Sequence, residues 1–406
     1  MRILQIAPRL CWPLDTGAKL RNYHLARVLA ERASVSLLTF ADREQSVSEL
    51  EKFYAQVITV PHVRGYTLPK IVHGAVGNTP LPVLNYTSPV MKDALTRLLN
   101  DQEFDVIQVE SVHLINYLPG IRPTRKSALV VCDWHNLESE LLRQYAEREQ
   151  NPFRRAYARR TARLMSDVEH RALNEFDAHI VVSEQDARRL SSLNPKASVY
   201  IIENGVDTAY YVRSGGVSGN QSPRTRILFV GSMDYHANID GAINFARDIW
   251  PQVHARKAGL VFTIVGKDPD PQVRELAAID GVEVTGTVTD VRPFYREAVA
   301  SIVPLRVGGG SRLKILEAMA AGVPVISTGL GAEGLEVQDA ENILIVDNPS
   351  EFTTAIATVT ENASVRERLI SAGRALVAER YDWSRLGNEL FTIYERLIEK
   401  RSVTAV

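Results

Sequence analysis

Residues 307–326 read Val-Gly-Gly-Gly-Ser-Arg-Leu-Lys-Ile-Leu-Glu-Ala-Met-Ala-Ala-Gly-Val-Pro-Val-Ile. An apolar run at 301–304 leads into three consecutive glycines, and from Arg312 onward the apolar residues recur at helical spacing, so a glycine turn joins a strand to a helix. Glycines let backbone approach a ligand closely, and the unpaired N–H groups of a helix N-terminus favour an anion; the arrangement suits phosphate. Arg312 and Lys314 fall in the first helical turn, where the helix dipole disfavours cations unless an anion is present. Glu317 lies three residues beyond Lys314, a spacing that carries a carboxylate past the turn towards ribose hydroxyls beside the phosphates. The plain alternative is an ordinary glycine turn in which Glu317 pairs with Arg312 or Lys314 on a solvated helix face.

Working outward, short apolar runs alternate with helical segments along the whole chain, the pattern of βαβ units and a mainly parallel sheet. Strand-length runs occur at 2–7, 35–40, 56–60, 104–109, 128–132, 178–182 and 199–202, with helical candidates such as 19–31 and 184–192 between them. A second series follows at 226–230, 260–265, 282–285, 301–304, 323–327 and 343–346. The reading is two Rossmann-like, doubly wound α/β domains facing a central cleft, residues 1–208 and 225–381. Between them, residues 209–224 end in a Gly- and Ser-rich polar stretch that reads as a linker. Residues 382–400 place Trp383, Leu386, Leu390, Ile393, Leu397 and Ile398 on one face of a closing amphipathic helix.

The segment 316–325, Leu-Glu-Ala-Met-Ala-Ala-Gly-Val-Pro-Val, resembles the donor-binding motif of the retaining GT-B-fold glycosyltransferases of group 1, the large bacterial family that includes sucrose synthases and mannosyltransferases. Ile202-Glu-Asn-Gly-Val-Asp207 is similar to that family's domain junction, and Tyr381-Asp-Trp383 with its helix to the family's C-terminal ending. The resemblance implies a nucleoside-diphosphate-sugar donor, no required metal or other cofactor, a ribose-binding role for Glu317, and a terminal helix that returns to the first domain. Two departures stand out. Gly309 occupies the position of the family's other glutamate, and Ser232 and Ala237 stand where the family carries an Arg and a Lys for the diphosphate. Arg312 and Lys314 are therefore expected to neutralise the diphosphate, with the amides of Gly308, Gly309, Gly310 and Ser311 completing the cradle and Gly231 on the same donor side.

In the N-terminal half, Gly17 lies in the loop 13–19 after the first strand, where the resemblance implies contact with donor phosphates. Cys132-Asp-Trp-His-Asn-Leu-Glu138 follows another strand at its carboxyl end, the usual ligand edge of an open α/β sheet. His135 matches the family's histidine beside the reacting sugar, and Asp133, Asn136 and Glu138 are expected on the acceptor side; Gln108 and Glu110 replace histidines that the family often carries nearby.

These expectations combine into cleavage of the bond between anomeric carbon and diphosphate, with transfer to an acceptor hydroxyl and retention, in polysaccharide or glycoconjugate synthesis; retention rests on the resemblance alone. His135, Arg312 and Lys314 are the expected catalytic groups. The competing readings are a nucleotide-sugar 2-epimerase on the same fold and a non-catalytic nucleotide-binding partner subunit. A dinucleotide dehydrogenase is disfavoured because no Gly-x-Gly-x-x-Gly follows the first strand.

Bulk properties set the remaining bounds. The 406 residues exceed what one core usually organises, and a formal charge of −1 provides no global field for nucleic acid. Two cysteines fit a reducing, cytoplasmic compartment, and no run approaches the ~20 apolar residues of a membrane span. A sugar, polysaccharide or lipid-linked acceptor is expected, and membrane contact, if any, is peripheral at the inner face. Residues 143–171 are arginine-rich, with Arg155, Arg159 and Arg163 at i+4 steps; they read first as a solvated helix face laced with Glu147, Glu149, Asp167 and Glu169, and second as a surface for anionic lipid.

Overall fold

The computed structural model describes residues 1–42, 45–61, 67–124, 128–212, 225–307 and 312–404. The chain divides into two compact units: Met1–Glu203 with Leu386–Val406, and Asn204–Arg385.

The first unit holds a seven-stranded sheet in the order β3-β2-β1-β4-β5-β6-β7, and every pairing is parallel. Its strands are β1 Arg2–Ala7, β2 Ser34–Ala41, β3 Gln56–Pro61, β4 Val106–Glu110, β5 Leu129–Asp133, β6 Ala178–Val181 and β7 Val199–Ile201. The central strands are buried on both faces, which is why they read as continuous apolar runs without alternation. The chain order reverses between β1 and β4, a switch point of the kind where open α/β sheets bind ligands beyond their carboxyl ends. Gly17 opens the helix Gly17–Leu29, and Thr16 caps it by accepting from the Lys19 amide.

The second unit repeats the design with six parallel strands in the order β10-β9-β8-β11-β12-β13. These are β8 Arg226–Val230, β9 Val261–Val265, β10 Val282–Gly286, β11 Ala298–Val303, β12 Val325–Ser327 and β13 Leu344–Ile345. The helix Leu313–Ala321 follows β11 and ends at Gly322, whose φ of 72° is the left-handed conformation a helix C-terminus commonly needs. A side chain at 322 would also run into the Arg374 guanidinium.

Residues 209–212, read from composition as the start of the linker, belong to the helical turn Thr208–Val212; the rest of that stretch, 213–224, lies outside the described residues. Their apolar and aromatic side chains explain the difference, because Tyr211 sets its ring edge against Tyr295 of the second unit. The closing helix spans Trp383–Thr404, with Trp383, Leu386, Leu390 and Ile393 buried. In the first unit its Tyr394 hydroxyl donates to Gln108 at 2.8 Å, and Arg401 donates to the Ala128 carbonyl and to Asp177.

Candidate functional site

In the second unit, three side chains of the donor motif are displayed by the first turns of the helix that follows β11. Arg312 sits at the N-cap position, Lys314 in the first turn and Glu317 one turn later. Gly308, Gly309, Gly310 and Ser311, expected to supply phosphate-binding amides, lie outside the described residues.

Lys314 Nζ donates to Asn238 Oδ1 at 2.5 Å and lies 5.0 Å from the centre of the Phe229 ring. It has no salt-bridge partner among the described residues, so a half-buried ammonium is met by a neutral amide. Burial, followed by repulsion from Arg312, pushes the Lys314 ammonium down to about 7. Asn238 is itself fixed, donating from Nδ2 to the Ser232 carbonyl at 2.8 Å. Gly231 is required beside this pair: a Cβ there would come within 2.8 Å of Asn238 Nδ2 and 3.3 Å of Lys314 Nζ. The segment after β8, which lacks the two family cations, thus supplies from the helix His236–Asn244 an amide that aims a lysine from another element.

Arg312 is less free than Lys314. It is largely buried, and it donates to the Glu333 carbonyl at 3.2 Å and to the Glu333 carboxylate at 3.4 Å. Glu317 pairs with neither cation within salt-bridge distance. The Tyr295 hydroxyl donates to its Oε2 at 3.4 Å, and the Tyr211 hydroxyl adds a second hydrogen bond. Burial pushes the Glu317 carboxyl up to about 7, against the two tyrosines and Lys314, which favour ionisation. The sequence alternative of a solvated ion pair is therefore not what forms.

In the first unit, the carboxyl ends of β1, β4 and β5 carry a hydrogen-bonded network. His135 Nε2 lies 2.9 Å from Glu110 Oε2. The Glu110 Oε1 atom accepts from Gln5 and from Gln108, each at 2.6 Å. The Asn22 amide nitrogen also lies 3.2 Å from His135 Nε2, so Glu110 and Asn22 both converge on this ring nitrogen. Asn22, with its amide oriented by its neighbours, donates to Glu110 Oε2 at 3.0 Å and to the Ala18 carbonyl at 3.1 Å.

Asp133, expected on the acceptor side, has its carboxylate engaged within the first unit. It is fully buried and gripped by Arg21, whose Nε and Nη2 meet its carboxylate at 2.9 and 3.0 Å while Nη1 donates to the Ile202 and Glu203 carbonyls. A carboxylate at the end of a central strand needs such a partner, and Arg21 comes from a helix more than a hundred residues away in sequence. Asn136 is exposed, and Glu138 is partly buried with its carboxyl pushed up to about 7 by burial and by Glu169. Ligand atoms of Glu110, Asp133 and His135 lie within 4.8 Å of one another, a spacing open to a metal ion. The Arg21 and glutamine donors already occupy those carboxylates, so the trio is wired as an internal network.

Residues missed in the sequence complete both sites. Arg21, Asn238, Tyr211 and Tyr295 carry no motif, and each acts on a partner distant in the chain. Ser111 follows β4 with a φ of 82°, and next to it His113 stacks on Tyr86, whose hydroxyl accepts from Arg9 Nε at 2.9 Å. Burial pushes the His113 imidazole down to about 4.

Two family models match the chain: glycosyltransferase family 4 over residues 16–210 and glycosyl transferases group 1 over residues 224–362. The chain carries a family 4 glycosyltransferase domain followed by a group 1 glycosyltransferase domain. Among relatives of this glycosyltransferase, the phosphatidyl-myo-inositol mannosyltransferase of Mycobacterium tuberculosis is 30% identical over 206 residues, 48% of this chain and 53% of that protein. The D-inositol 3-phosphate glycosyltransferase of Acidothermus cellulolyticus is 25% identical over 226 residues, 51% of this chain and 50% of that one. The chain thus spans about half the length of the relatives it matches. Sucrose-phosphate synthase from Thermosynechococcus elongatus superposes with a TM-score of 0.67 at 17% identity, covering 98% of this chain and 100% of that one. Anabaena HepE, solved with UDP and glucose, superposes at 0.64 with 14% identity, covering 97% and 99%. These likenesses give the fold, two parallel sheets flanked by helices in the GT-B class.

Proposed function

We propose that this glycosyltransferase moves a sugar from a nucleoside-diphosphate donor to an acceptor hydroxyl, with retention, in polysaccharide or glycoconjugate synthesis. The observation behind the reading is Lys314: a half-buried cation with no salt-bridge partner among the described residues, one helical turn from a carboxylate that accepts hydrogen bonds from tyrosines.

A diphosphate provides the missing counter-charge. Lys314 and Arg312 bind its oxygens, with the 308–311 turn alongside, and charge developing on the leaving diphosphate strengthens these contacts in the transition state. Glu317 accepts from two ribose hydroxyls, its orientation fixed by Tyr295. Gly231 and Gly17 let backbone approach the donor. His135, held beside Glu110, meets a donor-sugar hydroxyl near the anomeric carbon. Glu138 and Asn136 face the acceptor, while Asp133 acts at one remove by fixing Arg21. The acceptor is a sugar, polysaccharide or lipid-linked hydroxyl, in keeping with relatives named for inositol phosphate and phosphatidyl-inositol.

Thermal stabilisation by a panel of nucleoside-diphosphate sugars, followed by product analysis, tests this reading. A donor at a hundred times its dissociation constant adds about 2.7 kcal/mol to the folded state. The expected result is stabilisation by at least one donor, loss of most of it in Lys314→Ala, and a new glycoside as product. An altered free nucleotide sugar would mean an epimerase. Binding without turnover of any donor would mean a non-catalytic subunit.

A further inference from the structure

The first unit exposes large apolar side chains beside an unusually unopposed run of arginines. Phe153 is 84% exposed at the start of the helix Pro152–Glu175, and Val72 and Val76, 54% and 77% exposed, lie on the helix Leu68–Val76. A hydrogen bond joins the two elements: Arg160 Nη2 donates to the carbonyl of Gly77 at 2.6 Å, directly after Val76. From Asn151 to Ser166 there are five arginines and no acidic residue, and none lies between Glu51 and Asp93 either.

Two of the acids expected to lace these arginines accept from other donors, although Glu149 also feels the charge of Arg154. Glu169 is buried and accepts from the Ser139 amide and hydroxyl, and Glu149 accepts from the Tyr145 hydroxyl and the Asn151 amide. Arg154, Arg155, Arg159 and Arg163 are exposed, and none forms a salt bridge among the described residues. Isolated apolar residues on a surface are ordinary, but apolar tips flanked by uncompensated cations match an interface where headgroup charge meets acyl chain. No helix among the described residues is long and apolar enough to cross a membrane.

We infer that this face docks peripherally on an anionic lipid bilayer, with Arg154, Arg155 and Arg159 meeting lipid phosphates while Phe153, Val72 and Val76 enter the headgroup boundary. Charge complementarity selects this occupant: the face has cations to spare and no acidic residue along either segment with which to meet a basic partner. The inference goes beyond the transfer reaction and depends on no residue assigned to it.

The full chain is sedimented with vesicles of phosphatidylglycerol mixed with phosphatidylcholine, and with vesicles of phosphatidylcholine alone, at low and high salt. Binding to the anionic vesicles only, weakening with salt, is expected. Changing Arg154, Arg155 and Arg159 together to Gln should weaken it about a hundredfold. Phe153→Ser with Val76→Ser should weaken binding while leaving its salt dependence unchanged. These positions are exposed, so unaltered thermal midpoints and unaltered nucleotide-sugar stabilisation certify the variants and keep this test separate from the donor-site reading. Equal sedimentation with neutral vesicles, no sedimentation with either, or an arginine variant that binds like the parent would overturn the inference.

Discussion

Replacing Glu317 by Gln separates a ligand-binding carboxylate from a structural one, because the two roles predict opposite signs for stability. The carboxyl stands at about 7 in the folded chain against 4.5 in its absence, chiefly through burial. Between pH 4.5 and 7 the folded protein retains a proton that the unfolded chain has shed. The parent therefore loses stability as pH rises through that window, and above it the full cost applies. At about 1.4 kcal/mol for each pH unit the cost comes to about 3–4 kcal/mol. Gln retains the shape and can still accept from Tyr295. At pH 8 Lys314 has largely lost its own charge, so little attraction is sacrificed with the carboxylate. A net gain of about 2 kcal/mol is expected, raising the thermal midpoint of a unit this size by about 4–8 °C. The gain should fade as pH falls to 4.5. Over the same change, affinity for a nucleoside diphosphate should fall about 10- to 100-fold, since hydrogen bonds to a charged acceptor contribute about 1.5–3 kcal/mol. Scanning calorimetry at pH 4.5 and 8, with titration calorimetry at pH 8, measures both. A lower midpoint at pH 8, or unchanged affinity, would refute the reasoning.

Two further outcomes follow from named contacts. Lys314 is charged below about 7 and neutral above it, so diphosphate affinity should fall by up to tenfold per pH unit between pH 7 and 9, with proton uptake on binding; in Lys314→Met, titration calorimetry should find that fall absent. Asp133→Asn leaves the buried Arg21 guanidinium without its counter-charge and should cost about 3–5 kcal/mol in urea unfolding, whereas a loss below about 1 kcal/mol would show that the pair does not anchor the β5 end.

The fold was legible because thirteen short, mostly β-branched runs with helical segments between them are what two parallel sheets require, and all thirteen runs carry strands. The exceptions are local. β11 begins at Ala298 rather than Ser301, because its first three residues, Ala-Val-Ala, have too little β-propensity to declare a strand that pairing with β8 enforces. β5 runs on through Asp133 because Arg21 neutralises a carboxylate that would otherwise end an apolar strand. The donor-side residues were legible as types, since glycines, cations and a carboxylate on one helix turn are a chemical statement in themselves. Their partners were not. Asn238 meets Lys314 across 76 positions and Tyr295 meets Glu317 across 22, and only packing brings such pairs together.

The two departures from the family pattern bear on each other once Asn238 is placed. A lysine at position 237 would have brought a cation into a position that the backbone buries completely, whereas Ala237 packs there and the neighbouring Asn238 reaches Lys314 instead. Had the neutral amide been a carboxylate, the lysine would have been held as a permanent ion pair, and an incoming diphosphate would have had to break it. An amide accepts from the ammonium without neutralising it. The cation is therefore aimed but left electrostatically unsatisfied, which depresses its proton affinity in the empty protein and restores it when an anion arrives. Arg312, already shared with an exposed Glu333, cannot play that part alone. On the proposed reading, the charge that responds to a diphosphate is the one on Lys314, which forms no salt bridge among the described residues.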